Sequence, residues 1–306
     1  MDGTEFAFLD LRGTRRRTKH LFNPFSGAHM KKNLLPLAIL AAFSAGAQAG
    51  SFNNGGFETG DLTGWTQDGG VIGTNNTLSC SQGSTCNSSQ LLTSANYTGA
   101  ATTTSAGGFT ATHASGSSVV AVTSGAGVDS RSGQSVVRYG NHSVKVNDAN
   151  NNYSVSLIQQ SVTAYSGTSI NFSWAAVLQG SHGPTDSDEF TIALRDDTTN
   201  TDVTTIHYSS ATAAGAGLFT NTGGWYWNAW KDETIAVTQG DDFTLSLLAS
   251  DCPYGGHAGY VYLDGFGVVT GGPGDTTVPE PASLALVGLA LTGMVGVRRR
   301  SKSRAA

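Results

Sequence analysis

Basic residues are scarce in the central part of this 306-residue sequence. Residues 50–278 contain five lysines and arginines against 18 aspartates and glutamates, which leaves an excess of 13 acidic groups. Because proteins bind the phosphates of nucleic acids through basic surfaces, this region is not expected to bind nucleic acid. Divalent cations are a better electrostatic match for such a surface.

The central part of the chain also lacks long hydrophobic runs. The two apolar segments of the sequence lie near its ends. The first follows Met30, where two lysines precede an apolar stretch over residues 34–45 and small residues lead up to Gly50. This order is typical of a secretory signal peptide, and the stretch is too short to span a bilayer. We therefore predict a helical signal peptide over residues 30–49, cleavage before Gly50 and export, with residues 1–29 a mis-assigned extension.

The second apolar segment spans residues 282–297 and lies between a short motif and a basic cluster. The motif is Pro279, Glu280 and Pro281, and the cluster begins with Arg298, Arg299 and Arg300. In this order the three features, which occupy residues 279–304, resemble the PEP-CTERM sorting signal. The resemblance implies export by the secretion machinery of a Gram-negative bacterium and processing by an exosortase.

That resemblance also implies a transient membrane anchor. A single hydrophobic helix over residues 282–297 would hold the chain in the inner membrane, and the positive-inside rule would keep the basic cluster cytoplasmic. After processing, the protein would reach the cell surface or the extracellular matrix. The alternative is a permanent anchor that no enzyme processes.

Cysteine is rare, and all three cysteines fall in the part predicted to be exported, where disulfides form and persist. Cys80 and Cys86 enclose a short loop and are the easiest pair to close. Cys252 would then be left over, although its pairing with either of the others stays open. No cysteine spacing along the chain is typical of a zinc site.

Residues 50–270 are rich in Gly, Ser, Thr, Asn and Ala, and no long stretch has apolar residues at helical spacing. Short alternating runs separated by turn residues predict strands instead. The predicted strands cover residues 118–123, 142–146, 153–162, 169–178, 190–195, 203–208, 234–237, 243–249 and 259–269. We predict an all-β antiparallel sandwich followed by a linker over residues 271–278, with residues 66–116 forming long loops and a few strands.

Two segments at the ends of this domain sharpen the fold prediction. The first runs Gly55-Gly56-Phe57-Glu58 and is followed by Trp65, and the second is the closing strand that carries Asp264. The pairing resembles galactose-binding-like jelly rolls, a fold that many carbohydrate-binding modules share. It implies a jelly-roll β-sandwich whose first and last strands lie close together.

The same resemblance implies a structural calcium ion at Glu58 and Asp264, because the corresponding positions in some members of that family hold one. Oxygen ligands from segments far apart in the chain would then hold the sandwich together. The alternative is that Glu58 accepts hydrogen bonds from backbone amides and that Asp264 caps a turn.

Trp225, Trp227 and Trp230 crowd one short segment together with Tyr226. Aromatic faces stack well on the apolar faces of sugar rings, so the tryptophans are candidates for binding a polysaccharide. Alternation along a strand places Trp225 and Trp227 on one side and Tyr226 on the other. We expect at least one of these sides to pack into the core, and a purely structural role is the alternative to glycan stacking.

Two further patterns raise the question of catalysis. Cys252 and His257 lie five positions apart in a glycine-rich string, but a short loop seldom aims a thiol and an imidazole at each other as catalysis requires. Acidic pairs occur at residues 186–189, 196–197 and 241–242, and we expect them to be solvated turns rather than glycosidase carboxylates. We therefore do not predict an enzyme.

The predicted function is a structural or adhesive role in the envelope or exopolysaccharide matrix. It needs only export, anchoring and an acidic polar surface. A glycan-binding module is the first alternative, since it adds a stacking platform. A surface hydrolase is the second, and it requires a pair of positioned catalytic groups that the sequence does not show.

Overall fold

A computed structural model of the protein describes residues 50–74, 87–180, 182–183 and 187–267. These ranges contain fourteen β-strands, one short α-helix and two short 3₁₀ helices, Ser88–Leu91 and Ser94–Asn96. The predicted signal peptide, linker, sorting tail and both terminal helices lie outside the described residues, as do Cys80 and Cys86. Within the described ranges, no helix is long and apolar enough to cross a membrane.

The strands follow one another with turns and loops between them. In chain order they are β1 (Thr66–Thr74), β2 (Thr103–Ala106), β3 (Phe109–His113), β4 (Val120–Ser124), β5 (His142–Val146), β6 (Ser154–Val162), β7 (Ser169–Gln179), β8 (Glu189–Asp196), β9 (Thr201–Ser209), β10 (Thr220–Thr222), β11 (Trp225–Trp227), β12 (Lys231–Ala236), β13 (Phe243–Ser250) and β14 (Gly259–Asp264). Helix α1 (Ser210–Ala213) follows β9. Each individually predicted strand corresponds to an observed one. Strands β1, β2 and β3 lie in the segment expected to form long loops and a few strands. The short strand β10 has no counterpart among the predictions, and β11 is anticipated only by the alternation of its aromatic residues.

The strands form two sheets in which all the pairings between these strands are antiparallel. The first sheet has the order β2-β3-β1-β6-β13-β8-β9. The second sheet has the order β10-β11-β7-β14-β5-β4, and β12 also pairs with β7. The predicted all-β antiparallel sandwich is thereby confirmed.

The main core lies between the two sheets and follows the two-residue period of the strands. From β7 of the second sheet it receives Phe172 and Trp174, and from β13 of the first sheet Leu245 and Leu247. Each of these side chains is at most 1% exposed. Because full burial of such a side chain contributes about 1.5–3 kcal/mol, the contact between the sheets is the main stabilising feature of the fold.

Strands β11 and β12 share one edge of β7, and Asn228 fills the break between them. Its side-chain Oδ1 accepts a hydrogen bond of 2.7 Å from the backbone amide of Ala176. The backbone amide of Asn228 donates to the carbonyl of Ala176 at 3.3 Å. The side chain thus replaces a missing backbone partner. This break lets the chain leave the sheet at residues 228–230 and return as β12.

The two ends of the described chain meet, as the jelly-roll resemblance predicts. The ring of Phe57 stacks on Trp65 with centroids 5.1 Å apart, and Trp65 lies 5.5 Å from Phe266, just after β14. The amide of Phe266 donates to the carbonyl of Gly55 at 3.0 Å. One detail differs from expectation: Glu58 lies in a turn-rich segment, and the first strand begins only at Thr66.

The outer face of each sheet is partly covered. On the first sheet, Leu91, Leu92 and Tyr97 from the segment between β1 and β2 pack against Ile72 and Phe109. On the second sheet, a loop of residues 127–138, which we call the covering loop, packs Val136 and Val137 against the aromatic side chains of β11 and β14. The covering loop decides which aromatic rings of the second sheet reach solvent.

Candidate functional site

Glu58 and Asp264, the predicted calcium ligands, both bind the same short segment of backbone, residues 138–142, which leads into β5. The carboxylate of Glu58 accepts hydrogen bonds from the amides of Asn141, at 2.9 Å, and His142, at 3.0 Å. Its side chain is 44% exposed, so solvent reaches it. The expected alternative role of Glu58, binding backbone donors, is thus observed.

Asp264 uses only one of its two oxygens in the same way. Oδ2 accepts from the amides of Arg138 and Tyr139 at 2.9 and 2.8 Å. Oδ1 is buried and has no hydrogen-bond partner among the described residues. A buried carboxylate oxygen without a partner is costly, because the lost hydration is not replaced.

Gly56 lies next to the side chains of both Glu58 and Asp264. A Cβ atom at this glycine would lie 3.6 Å from Cγ of Glu58 and 4.0 Å from Oδ1 of Asp264. Burial, and then the charge of Glu58, raise the pKa of Asp264 to about 7. Two carboxylates and one unpartnered oxygen fit a hard cation such as Ca²⁺, which prefers oxygen ligands.

A second group of side chains lies on the outer face of the second sheet. Trp225, Tyr260 and Tyr262 project from this face and are 7%, 1% and 3% exposed. The guanidinium of Arg131 lies 4.6 Å from the centre of the Trp225 ring, and Nζ of Lys145 lies 3.7 Å from that of Tyr260. Cations over aromatic faces are stabilising, and here they occupy faces that a sugar would need.

Asp129 ties the covering loop to this aromatic face. Its Oδ2 accepts hydrogen bonds of 2.8 Å from the hydroxyls of both Tyr260 and Tyr262. Its Oδ1 accepts from the amides of Arg131 and Ser132 at 2.9 and 2.8 Å. Burial alone would raise the pKa of Asp129, but these hydrogen bonds outweigh it and hold the pKa below its usual value.

Trp227 and Trp230 are the half-buried members of the predicted platform, and we call them the tryptophan edge. The indole N–H of Trp227 donates to Oγ1 of Thr222 at 3.2 Å, and that of Trp230 donates to the carbonyl of Ser135 at 2.9 Å. Tyr226 packs against the main core on the opposite side, as alternation predicts. Trp225 is a packing residue, so the glycan-stacking prediction stays with the tryptophan edge.

The expectation that the acidic pairs are solvated turns is wrong for Asp188, Glu189 and Asp196, which are 0%, 1% and 7% exposed. The first two are the most deeply buried. Asp188 accepts a hydrogen bond from the hydroxyl of Ser210 at 2.7 Å, and burial raises its pKa well above the usual value. Glu189 accepts from Ser88 at 2.9 Å and lies 3.4 Å from Nε2 of His207. Both are covered by other segments, since Asp188 contacts Ser210 in α1 and Glu189 contacts Ser88 in the segment before β2.

Cys252 and His257 lie in the loop between β13 and β14, and the structure brings a third side chain to them. Nδ1 of His182 lies 3.3 Å from Sγ of Cys252. Sequence spacing gives no signal for this contact, because His182 lies 70 positions earlier in the chain.

Residues 277–300 match the model of the PEP-CTERM protein-sorting motif. This match agrees with the sorting signal expected from residues 279–304, and it marks the chain as one that carries a signal for sorting at the cell envelope. No curated protein matches the chain.

Among solved structures, the chain is similar to the carbohydrate-binding module TmCBM61 in complex with β-1,4-galactotriose. The identity is 11%, the TM-score 0.35, and the match covers 71% of this chain and 95% of that one. A carbohydrate-binding module described as belonging to the β-sandwich superfamily matches with 11% identity and a TM-score of 0.30. That match covers 71% of this chain and 62% of the other. The K2 cleaved adhesin domain of Lys-gingipain matches with 15% identity and a TM-score of 0.28, and the match covers 49% of this chain and 80% of that domain's chain.

Proposed function

We propose that this protein is an exosortase-sorted surface or matrix protein with an adhesive role, and that it holds exopolysaccharide through the tryptophan edge. Sorting at the envelope rests on the motif at residues 277–300. Polysaccharide binding rests on one observation: Trp227 and Trp230 stay partly exposed at the rim of the second sheet, whereas the neighbouring Trp225 is covered.

The geometry of the tryptophan edge favours stacking on sugar rings. Both indole N–H groups are bonded within the protein, so each ring is held in one orientation before a ligand arrives. Fixed rings lose little conformational entropy on binding, which raises affinity. Polar groups that could bind sugar hydroxyls lie alongside, including Gln134, whose side chain donates to the carbonyl of Asn228, and the exposed strand residue Thr222.

An adhesive role needs many weak contacts rather than one enclosed pocket. The covering loop leaves only an edge of the aromatic face open, which suits a long polymer lying across the surface. Multiple copies on a cell or in a matrix would then raise the total strength of attachment through effective concentration.

We also propose that a structural calcium ion binds at Glu58 and Asp264. The unpartnered Oδ1 of Asp264 carries this proposal. The ion would give that oxygen a partner and would reduce the repulsion between the two carboxylates. It would also connect the segment before β1 to the end of β14, so its role would be to stabilise the domain that carries the tryptophan edge.

A glycan array with the exported protein tests the binding proposal. We expect binding to a polysaccharide, with Trp227→Ala and Trp230→Ala each weakening it about tenfold, which corresponds to about 1.4 kcal/mol. Trp227→Phe keeps an aromatic face and should retain most of the affinity. Val203→Ala, an exposed change on β9 of the other sheet, is the matched control. Unchanged binding in a variant that carries both Trp227→Ala and Trp230→Ala would contradict the proposal.

A further inference from the structure

The loop between β13 and β14 folds back on itself and places Cys252 beside His257. The amide of Cys252 donates to the carbonyl of His257 at 3.1 Å, and the amide of Gly255 donates to the carbonyl of Cys252 at 2.9 Å. Gly255 and Gly256 have φ angles of +81° and +88°, a region that side chains disfavour. A Cβ atom at Gly255 would also lie 2.8 Å from Oη of Tyr153. The two glycines therefore make this closed loop possible.

His182 completes a cluster of three possible metal ligands with Cys252 and His257. One ligand atom from each residue lies within 4.8 Å of the other two. Nδ1 of His182 lies 3.3 Å from Sγ of Cys252, and the two imidazole rings have centroids 4.5 Å apart. Cys252 is fully buried, His257 is half-buried and His182 is exposed, so the cluster reaches the surface on the side of His182.

We propose that Cys252, His182 and His257 bind a divalent transition-metal ion, with zinc as the reference ion. A thiolate and two imidazoles suit zinc and its neighbours in the first row, whereas calcium and magnesium take oxygen ligands. On binding, the Cys252 thiol loses its proton to solvent and its sulfur forms the metal–sulfur bond. The two imidazoles donate through neutral nitrogens, so one proton is released for each ion bound.

The separations between the three ligand atoms fit such a site once these atoms move slightly closer together. Zinc lies about 2.3 Å from sulfur and about 2.0–2.1 Å from nitrogen, so tetrahedral ligand atoms lie roughly 3.3–3.6 Å apart. The contact of 3.3 Å between His182 and Cys252 already has this length. The remaining separations are at most 4.8 Å and need to shorten by at most about 1.5 Å, which rotation of the two imidazole rings would supply. Water would take the fourth position on the open side.

This arrangement differs from the Cys252–His257 nucleophilic pair considered in the sequence. A nucleophilic cysteine needs access to substrate, and the side chain of Cys252 is fully buried. The cluster is also separate from the calcium ligands. His257 precedes β14 and Asp264 ends it, so the two sites lie roughly 20 Å apart along that strand. The two metals can therefore be tested independently.

Metal titration of the exported full protein, first stripped with a chelator, tests this site. We expect one equivalent of Zn²⁺ to bind with release of one proton, and one equivalent of Co²⁺ to produce a thiolate-to-cobalt absorption band. His182→Ala should weaken zinc binding at least tenfold, and Cys252→Ser should abolish the cobalt band. His207→Ala, a partly exposed histidine on β9, is the control and should change neither result.

Several results would overturn the proposal. Zinc binding of equal strength in wild type and His182→Ala would do so, and His182 is exposed enough that its variant should fold even if Cys252→Ser does not. Cobalt binding without a thiolate band would exclude Cys252 as a ligand. A failure of the wild type to bind either ion, or the finding that Cys252 is oxidised in a disulfide in the exported protein, would equally refute the site.

Discussion

Asp264, buried at the end of β14, lies close enough to Glu58 for the charge of one carboxylate to act on the other. Burial and this charge raise the pKa of Asp264 to about 7, while its Oδ1 has no hydrogen-bond partner among the described residues. Without a cation, the domain bears an unrelieved cost at the point where its two ends meet. This relationship motivates the calcium proposal more directly than the sequence resemblance does.

Calcium should raise the melting temperature of the exported domain. An ion that binds only the folded state stabilises it by about 2.7 kcal/mol when its free concentration is a hundred times the dissociation constant. For a domain of 150–250 residues this is an increase of about 5–10 °C. Thermal melts in calcium and in chelator measure it.

The matched variants separate calcium binding from general stability. Asp264→Asn removes a negative charge at nearly constant shape and should abolish the response to calcium. Asp202→Asn changes an exposed carboxylate on β9 and should leave the response intact. Identical melting curves of the wild type in calcium and in chelator would refute the site.

Asp129→Ala should destabilise the domain by about 3 kcal/mol at neutral pH, because it leaves the hydroxyls of Tyr260 and Tyr262 and two amides without their acceptor. Urea unfolding measures the difference, with Asp202→Ala as the exposed control.

The effect of Asp129 should also depend on pH. Its pKa is lower in the folded state than in the unfolded chain, so its contribution is present above the ordinary value near 3.8 and is lost as the pH falls through the folded value. We therefore expect the gap between wild type and Asp129→Ala to shrink below about pH 4. A gap that stays constant down to pH 2 would show that the charge of Asp129 does not matter.

The exported protein should begin at Gly50. The amide of Gly50 donates to the carbonyl of Ala164 at 2.9 Å, and its carbonyl accepts from Ser166 at 3.1 Å, so this residue already belongs to the folded domain. Mass spectrometry of the surface form measures its start. Peptides from residues 1–29 in that form would contradict the prediction.

Loss of the exosortase should leave the full-length protein in the inner membrane. The sorting motif over residues 277–300 motivates this expectation, and replacement of Pro279, Glu280 and Pro281 by alanine should have the same effect. Cell fractionation and the mass of the C-terminus measure the outcome. If neither changes when the exosortase is deleted, residues 282–297 form a permanent anchor.

Strands with clear alternation could be predicted from the sequence. The strand expected over residues 142–146 is observed with those bounds, because Val144 and Val146 face the core at the required period. Strand β10 escaped prediction because its three polar residues show no apolar period. The meeting of the two chain ends was also predictable, although the turn conformation of Glu58 was not.

The sites depend on contacts that local sequence does not reveal. Alternation correctly assigns Trp225 and Trp227 to one side of a strand, but the cover over Trp225 depends on Asp129 binding tyrosines from β14. The burial of Asp188 likewise depends on Ser210. His182 contacts Cys252 only because β7 and β13 both finish at the same end of the sandwich, where the residues that follow each strand lie together.

Retention on the exopolysaccharide of the producing strain tests the central claim most directly. In affinity electrophoresis with that polymer in the gel, the wild-type domain should be slowed in proportion to polymer concentration. The Trp227→Ala/Trp230→Ala double variant should migrate as it does without polymer, while Val203→Ala should behave as wild type. Equal retardation of the wild type and the folded double variant, or no retardation of either, would contradict polysaccharide binding by the tryptophan edge.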